Sequence, residues 1–200
     1  MQQPTQPVYS RLHPTPIGEL TLIASERGLR AILWPKETAR RAGIPSRVRP
    51  LPEHPVLQLT ASQLDEYFAG VRTSFQIPLD LDGTRFQLAA WRALGEIPFG
   101  ETATYGQQAR ALGLPTAARA LGGANRANPV CIVLPCHRVI GANGSLTGFA
   151  GGLSTKQWLL DHEASVLGRS ASAANRQAVP QQSPDWLHHP QQRRLSLPIG

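Results

Sequence analysis

The first part of the chain alternates between strand-like and helix-like spacing of its hydrophobic residues. Two apolar runs in GELTLIASERGLRAILW are separated by Glu26-Arg27-Gly28, which predicts two strands joined by a tight turn. In VLQLTASQLDEYFAG, four residues fall on one face at helical spacing: Val56, Leu59, Gln63 and Tyr67. Gly70 follows this segment and is a typical stop signal, so we predict one helix here.

Two further segments complete the first 83 residues. SFQIPLDLDG has apolar side chains at every second position from Phe75 to Leu81, which predicts a half-buried strand ending at Asp82-Gly83. PSRVRPLPEHP is rich in proline, and we predict a loop. Residues 1–83 are therefore expected to form a small α/β domain, and they contain no obvious catalytic motif.

Capping boxes mark three helix starts in the second half of the chain. In this motif a Thr or Ser side chain and a Gln three residues later satisfy each other's backbone amides. The pairs are Thr84–Gln87, Thr104–Gln107 and Ser154–Gln157. Between the last two boxes lies PVCIVLPC, an apolar β-branched run that predicts a short buried strand. We therefore expect residues 84–167 to form a mainly helical domain.

The segment TYGQQARALGLPTAARALGGAN has the form of a helix-turn-helix. We predict Thr116 as the N-cap of its second helix, which would begin at Ala117. That helix consists mostly of Ala and Gly, and its only long polar side chains are Arg119 and Arg126. A helix this bare can approach a narrow groove of DNA closely, with an arginine as the probe. The same small residues would equally suit tight packing against a neighbouring element.

The distribution of charge favours a nucleic-acid partner. The 200 residues carry a net charge of +7, and no Asp or Glu occurs from Thr102 to Leu160. The basic residues of that span are Arg110, Arg119, Arg126, Arg138 and Lys156. A basic balance permits DNA binding but does not establish it, because a solvated charged face has the same composition.

The composition excludes a membrane partner and predicts a cytoplasmic location. No apolar run approaches the roughly 20 residues that a membrane span needs. The N-terminus MQQPTQPVYSRLHPTPIG lacks the apolar core of a signal peptide. After residue 167 the chain is rich in Ser, Gln and Pro, so residues 168–200 are predicted to be a disordered tail. Its His188-His189 pair has no further ligands nearby in sequence, and we do not expect it to bind metal.

Both cysteines of the chain lie in NPVCIVLPCHRVIG, five residues apart. In an extended strand such residues lie roughly 16 Å apart, beyond the reach of a disulfide unless the chain turns back. A zinc site needs about four ligands, and only Cys131, Cys136 and His137 cluster here. The third interpretation is that Cys136 is a nucleophile and Cys131 a small buried hydrophobe.

A cysteine nucleophile needs a base, and the base needs an orienting acceptor. His137 is adjacent to Cys136, and a water between the two side chains would relay the proton. The acidic residues downstream are Asp161, Glu163 and Asp185. The first two end the third predicted helix of this half, so either could reach His137. A lone Cys-His pair is weak evidence by itself.

LPCHRVIG resembles the IPCHRV signature of the methylated-DNA–protein-cysteine methyltransferases, the O6-alkylguanine-DNA alkyltransferases. The likeness continues through FQLAAWRALGEIPFGETATYGQQA, AARALGGANRANP and GGLSTKQWLLDHE, and covers most of residues 84–164. TPIGELTLIAS also resembles the family's N-terminal hairpin. The resemblance implies a ribonuclease-H-like α/β N-terminal domain and a mainly α, winged-helix-like C-terminal domain with a helix-turn-helix.

The resemblance also implies an activity and its residues. A DNA repair protein of this family moves the alkyl group of O6-alkylguanine, and also of O4-alkylthymine, irreversibly to its own cysteine, once per molecule. By resemblance Cys136 is the acceptor, His137 its base through a water and Glu163 the group that orients His137. Asn128 braces the active-site turn, and Tyr105 donates a proton to the guanine. Arg119 fills the gap left by the extruded nucleotide, and the other DNA-binding residues are Tyr105, Gly106 and Arg126.

The implied partner is double-stranded DNA bearing alkylated guanine, bound by a monomer without cofactor or metal. The chain departs from some relatives in the substrate loop, where Phe149-Ala150 replaces a Tyr-Ser pair. It also lacks cysteine in the N-terminal half, which argues against the zinc site that some relatives have there. Two other classes stay open: a DNA-binding regulator or damage sensor with Cys136 as a switch, and a Cys-His hydrolase.

Overall fold

The computed structural model describes residues 7–35, 37–38, 43–44 and 47–169. From residue 170 onward the predicted tail, with its His188-His189 pair, lies outside the described residues. Across those described ranges, no helix combines the length and the apolar character that crossing a membrane requires.

A four-stranded sheet forms the first layer, in the order β3-β2-β1-β4. Its strands are β1 (Val8–His13), β2 (Leu20–Ser25), β3 (Gly28–Leu33) and β4 (Val48–Pro50). The first three are antiparallel, and β4 runs parallel to β1. The pair of strands predicted around residues 26–28 is confirmed as β2 and β3. The loop predicted for the proline-rich segment is wrong at β4, because an edge strand tolerates a terminal proline such as Pro50.

The half-buried strand predicted from Phe75 to Leu81 does not form. The segment contributes one isolated bridge between Leu29 and Leu79. Pro78 has no amide hydrogen to continue a ladder, although its carbonyl accepts a 2.8 Å hydrogen bond from the Leu29 amide. The alternating apolar side chains still pack against the core. The pattern therefore predicted burial correctly and the backbone hydrogen bonding wrongly.

Helix α1 (Pro55–Phe68) confirms the predicted helix and covers one face of the sheet. Gly70 has a φ of +75°, a conformation that glycine adopts without strain and that ends the helix. The main hydrophobic cluster runs from β2, β3 and α1 into the second half of the chain. It includes Trp91, Leu94, Cys131, Cys136 and Leu159. The two halves thus share one core.

The second half contains α2 (Arg85–Gly95), α3 (Tyr105–Ala111), α4 (Ala118–Arg126) and α5 (Leu153–Val166). A short parallel pair joins β5 (Ala103–Thr104) to β6 (Val139–Ile140). The capping boxes at Thr84 and Thr104 are confirmed, with both reciprocal hydrogen bonds present.

Two predicted N-caps are wrong by one or two residues. Helix α5 starts earlier than the Ser154 box predicts, because the Gly152 carbonyl, at a φ of +88°, already accepts a helical bond from Lys156. Helix α4 has Ala117 rather than Thr116 at its N-cap, with no side-chain cap. The Ala117 amide instead closes a turn onto the Leu114 carbonyl at 2.9 Å.

Helices α3 and α4 form the predicted helix-turn-helix. Gln108 and Asn125 bind each other across the pair through their buried amides, at 2.7 and 3.3 Å. Ala109, Leu121 and Ala124 pack beneath them. The opposite face of α4 is exposed and bare, with an arginine at each end; its residues are Arg119, Ala120, Gly123 and Arg126. Both interpretations of the small residues therefore hold, on opposite faces of the same helix.

Candidate active site

The segment that precedes Cys136 is a compact turn, and the buried strand predicted there is wrong. The Leu134 amide bonds back to the Val130 carbonyl at 3.0 Å, and Ile132 has a φ of +75°. The buried side chain of Asn128 spans the turn, donating to the Leu134 carbonyl at 2.8 Å and accepting from the Val130 amide at 3.1 Å. This amide supplies the bonds that a strand neighbour would otherwise make.

The turn brings the two cysteines together. Their Sγ atoms lie 3.6 Å apart, and neither cysteine is in a disulfide. The separation of roughly 16 Å expected for an extended strand is therefore wrong, because the chain doubles back between them. Cys131 is fully buried, whereas Cys136, at the start of a short 3-10 helix (Cys136–Arg138), is 6% exposed.

The carboxylate of Glu163, on α5, accepts most of the hydrogen bonds in this site. Nε2 of His137 lies 2.7 Å from Oε1, and both side chains are fully buried. The guanidinium of Arg138 donates to both carboxylate oxygens at 2.9 to 3.2 Å. The Gly100 amide donates to Oε2 at 2.8 Å, and the Tyr67 hydroxyl donates to Oε1 at 2.9 Å.

Of the two acidic residues that end α5, Glu163 is the partner of His137. Asp161 instead accepts a hydrogen bond from Gln157 on its own helix, at 2.8 Å. The helical spacing explains this difference, since residues two apart on a helix point in different directions.

The electrostatics of the pair keep His137 neutral and Glu163 ionised. Burial alone would raise the pKa of the Glu163 carboxyl, but the hydrogen bond from His137 and the charge and hydrogen bonds of Arg138 hold that pKa well below its usual range. Burial lowers the pKa of His137, and the attraction of Glu163 only partly opposes this. A carboxylate can only accept, so Nε2 carries the hydrogen and Nδ1 holds the free lone pair. Nδ1 is buried without a hydrogen-bond partner among the described residues, as suits a base.

The surroundings of Cys136 favour the thiolate form of its side chain. The hydrogen bond with Cys131 lowers its pKa, burial raises it, and Asn128 and the charge of Lys156 lower it further. Lys156 is itself fully buried and donates to the backbone carbonyls of Val139 at 2.5 Å and Thr147 at 2.8 Å. Burial lowers its pKa to about 8. It therefore carries most of its positive charge at neutral pH and ties the strand after the nucleophile to the substrate loop.

Tyr105 meets the same loop from α3. It is the first residue of that helix, and its hydroxyl accepts a 3.4 Å hydrogen bond from Oγ1 of Thr147. Phe149 of this loop makes edge contacts with the rings of His137, at 6.4 Å, and Trp34, at 5.4 Å. The loop therefore places an apolar ring beside His137.

The structure thus brings four of the predicted site residues into one cluster: Asn128, Cys136, His137 and Glu163. Tyr105 is hydrogen-bonded to Thr147, whose carbonyl accepts from Lys156, and Gly106 follows Tyr105 in the first turn of α3. Arg119 and Arg126 lie on the exposed face of α4. Within the described ranges, no group of three or more His, Cys, Asp or Glu side chains could hold a metal ion.

Sequence reasoning missed three residues that contact this cluster. Arg138 and Lys156 were noted only for their charge, although a cation near a cysteine motif was a usable signal. Tyr67 was placed on the core face of α1, in a domain expected to have no chemistry. A hydroxyl on the core face of the helix was its only sign in the sequence.

Comparisons with known proteins agree with this site. The model of the 6-O-methylguanine DNA methyltransferase DNA-binding domain matches residues 85–165, and that of the ribonuclease-like domain of the same proteins matches residues 8–81. A methylated-DNA–protein-cysteine methyltransferase of Mycobacterium leprae is 47% identical over 156 residues, which are 78% of this chain and 92% of that relative. One of Methanosarcina acetivorans is 44% identical, over 79% of this chain and 99% of that relative.

The solved structures include a Mycobacterium tuberculosis protein, OGT, in complex with DNA. It is 42% identical and has a TM-score of 0.72, over 84% of this chain and 98% of that one. These matches confirm the ribonuclease-like N-terminal and DNA-binding C-terminal architecture expected from the sequence. The chain therefore belongs to the family of methylated-DNA–protein-cysteine methyltransferases.

Proposed function

We propose that this protein repairs DNA by transferring the alkyl group of O6-alkylguanine, and of O4-alkylthymine, to Cys136, once per molecule. The observation that carries the proposal is the buried Cys136 followed by a neutral His137 that lies 2.7 Å from an ionised Glu163. The DNA complex of the Mycobacterium tuberculosis relative supports the choice of DNA as the partner.

The reaction uses the polarity of this cluster. A water bound at Nδ1 of His137 passes the proton of Cys136 to that nitrogen. Glu163 stabilises the imidazolium that results. The thiolate sulfur attacks the alkyl carbon while the bond from that carbon to guanine O6 breaks. Tyr105 supplies a proton to the departing base, so guanine leaves as a neutral molecule. The product on Cys136 is a thioether, which no group of the site reverses.

The target oxygen is buried in a duplex, so the nucleotide must leave the stack first. Extrusion costs a few kcal/mol, and less when the alkylated base already pairs badly. The bare face of α4 lies in the minor groove, where Arg119 occupies the gap left in the stack and Arg126 contacts the backbone. Tyr105 and Gly106, at the start of α3, contact the strand beside the extruded nucleotide.

The protein acts as a monomer in the cytoplasm, on double-stranded DNA, with no cofactor or metal. Its alkyl donor is the DNA itself, so no methyl-donor cofactor is required. A reducing compartment keeps Cys136 as a thiol between encounters with damage.

The test is intact mass and peptide mapping after mixing with duplex DNA that contains O6-methylguanine. We expect one methyl group, on Cys136, and no further turnover with excess DNA. Cys136→Ser is the control and should bind the duplex without gaining the methyl group, whereas Cys131→Ser should still be methylated at Cys136. A methyl group on Cys131, or several equivalents repaired per molecule, would overturn the proposal. A damage sensor would bind with its mass unchanged, and a hydrolase would show no DNA-dependent adduct.

A further inference from the structure

The hydroxyl of Tyr67 reaches Glu163 from the first half of the chain. It donates to Oε1, the oxygen that also accepts from His137, at 2.9 and 2.7 Å respectively. The other donors to this carboxylate, Gly100 and Arg138, come from the second half. Helix α1 therefore extends one polar group into a site otherwise built after residue 84.

Aromatic packing fixes the position of this hydroxyl. The ring of Tyr67 is fully buried against four others, with centroids at 5.3 to 5.9 Å: those of Phe68, Phe75, Phe99 and His162. Burial, and then the charge of Glu163, raise the pKa of Tyr67 well above its usual value. The phenol is therefore protonated at any working pH, and it serves Glu163 only as a donor.

We propose that Tyr67 is a positioning residue for alkyl transfer, because its hydrogen bond sets how strongly Oε1 of Glu163 attracts the proton on His137. This inference rests on the proposed function. A carboxylate oxygen shares its negative charge among its donors, so loss of the Tyr67 bond leaves more charge facing His137. The imidazolium is then favoured at a pH where the base must be neutral.

The pKa of His137 depends on Tyr67 and also on the charged and titratable groups that face the imidazole. Glu163 and Lys156 face it from α5, and Cys136 and Arg138 flank it in its own turn. None of these four is changed when the tyrosine hydroxyl alone is removed. A shift in the pH profile of such a variant therefore reports the Tyr67 bond rather than a new charge.

The experiment compares Tyr67→Phe with the wild-type chain in single-turnover transfer from O6-methylguanine duplex, across the pH range in which His137 titrates. We expect the variant to be slower by about threefold on the acid side, the factor by which a half-unit rise in the pKa of His137 reduces the neutral base there. We also expect the acid limb of its profile to move to higher pH by about half a unit.

A matched control removes packing and keeps the hydroxyl. Phe75→Leu truncates one of the four rings around Tyr67, at 5.5 Å, and the other three still hold the hydroxyl in position. It should therefore lower the melting temperature and leave the acid limb in place. Incorporation of 3-fluorotyrosine at position 67 makes the phenol a stronger donor and should move the limb to lower pH. The inference fails if Tyr67→Phe and the fluorinated chain keep the wild-type profile, or if Phe75→Leu shifts it equally. A wild-type chain that transfers no alkyl group would instead refute the proposed function.

A separate observation, the 3.6 Å contact between the two sulfur atoms, carries a second inference. The turn braced by Asn128 holds both sulfurs in place. Cys136 is 6% exposed and must meet an extruded base, whereas Cys131 is 1% exposed. A more deeply buried thiol thus touches the acceptor thiol.

We propose that Cys131 is a resolving thiol that protects Cys136 when a hydroperoxide oxidises it. The Cys136 thiolate attacks the peroxide and takes its terminal oxygen as a sulfenic acid, and the hydroperoxide leaves as an alcohol, or as water from hydrogen peroxide. The sulfur of Cys131 then attacks the sulfenic sulfur, and the hydroxyl group leaves with the Cys131 proton as water. Overall two thiols lose two protons and two electrons to form a disulfide, which a dithiol reverses.

The test treats wild-type protein and Cys131→Ala with hydrogen peroxide before any DNA is added. The wild-type mass should fall by two hydrogens, with a Cys131–Cys136 peptide link, and dithiothreitol should restore its capacity to accept one methyl group. Cys131→Ala should instead gain oxygen atoms on Cys136 and regain little of its own starting capacity. Wild-type protein that gains oxygen and forms no link would overturn the inference, whatever the variant does.

Discussion

Glu163→Gln should cost both stability and alkyl transfer, and the two losses should have different causes. The variant keeps the size of the side chain and removes its charge. Arg138, 5% exposed, then loses its counter-ion and keeps as partners one amide oxygen, the Ile97 carbonyl at 2.6 Å and the ring of Phe99. The NH2 group of the introduced amide would also face groups that now donate to the carboxylate, such as the Gly100 amide.

The magnitude follows from the burial of this ion pair. Removing one partner of a buried, hydrogen-bonded pair costs about 3 to 5 kcal/mol, because the remaining charge stays desolvated. For a chain of this size each kcal/mol lowers the melting temperature by about 2 to 4 °C. We therefore expect Glu163→Gln to melt about 10 °C below the wild-type protein.

A second substitution separates stability from chemistry. Arg138→Met in the Glu163→Gln background removes the unpaired cation and should recover about half of the lost stability. Alkyl transfer should stay low in the double variant, because His137 still lacks its carboxylate. Calorimetric melts and single-turnover rates give the two readouts. As a control, Asp161→Asn changes the neighbouring acid on α5 and should leave both near wild type, since Asp161 binds Gln157 instead.

Two results would refute this reasoning. If Glu163→Gln melts within a degree or two of the wild-type protein, the carboxylate does not compensate a buried guanidinium. If the double variant is no more stable than Glu163→Gln, the loss comes from elsewhere in the site. Recovery of alkyl transfer together with stability would show that Glu163 acts on Cys136 only through the fold.

Three further predictions address pH, DNA and backbone. The folded pKa of Glu163 lies below its unfolded value, so its contribution to stability is complete above about pH 4.3 and is lost as the pH falls further. The difference in melting temperature between wild type and Glu163→Gln should therefore shrink in strong acid. Arg119→Ala should slow repair in duplex DNA far more than transfer from the free alkylated base; an unchanged ratio of the two rates would leave Arg119 as one more basic contact. Gly100→Ala should destabilise more than Gly113→Ala: φ is +73° and +71°, but of the two only Gly100 has a side chain, that of Leu167, where an added Cβ would lie.

The parts of the fold that were predictable depend on local chemistry. The capping boxes at Thr84 and Thr104 satisfy backbone amides within four residues, so the sequence alone specifies them. The start of α5 was missed because Gly152, rather than the better-looking Ser154, supplies the first helical carbonyl. The segment ending at Leu81 has strand-like alternation, yet whether it joins a sheet depends on the distant edge beside Leu29.

In the site, the contrast between predictable and unpredictable features is stronger. Cys136 and His137 were evident from a short motif, and Glu163 from the family resemblance. The turn between the cysteines was not, because Ile132 is β-branched and a positive φ at such a residue is strained when considered locally. It is maintained by the side chain of Asn128, which takes over two backbone hydrogen bonds. A β-branched run therefore predicts a strand unless a polar side chain just outside the run, here Asn128, makes the turn favourable.

The contacts of Glu163 also change how the first half of the chain is understood. No catalytic motif lies before residue 84, so that half was expected to lack chemistry. Yet its helix α1 supplies the Tyr67 hydroxyl to the carboxylate that orients His137. The same tyrosine ring lies in the hydrophobic cluster that both halves share. Packing between the halves and the geometry of the base are therefore coupled through one residue. A substitution that loosens α1 against the core should for that reason alter alkyl transfer even when every residue of the Pro-Cys-His motif is intact.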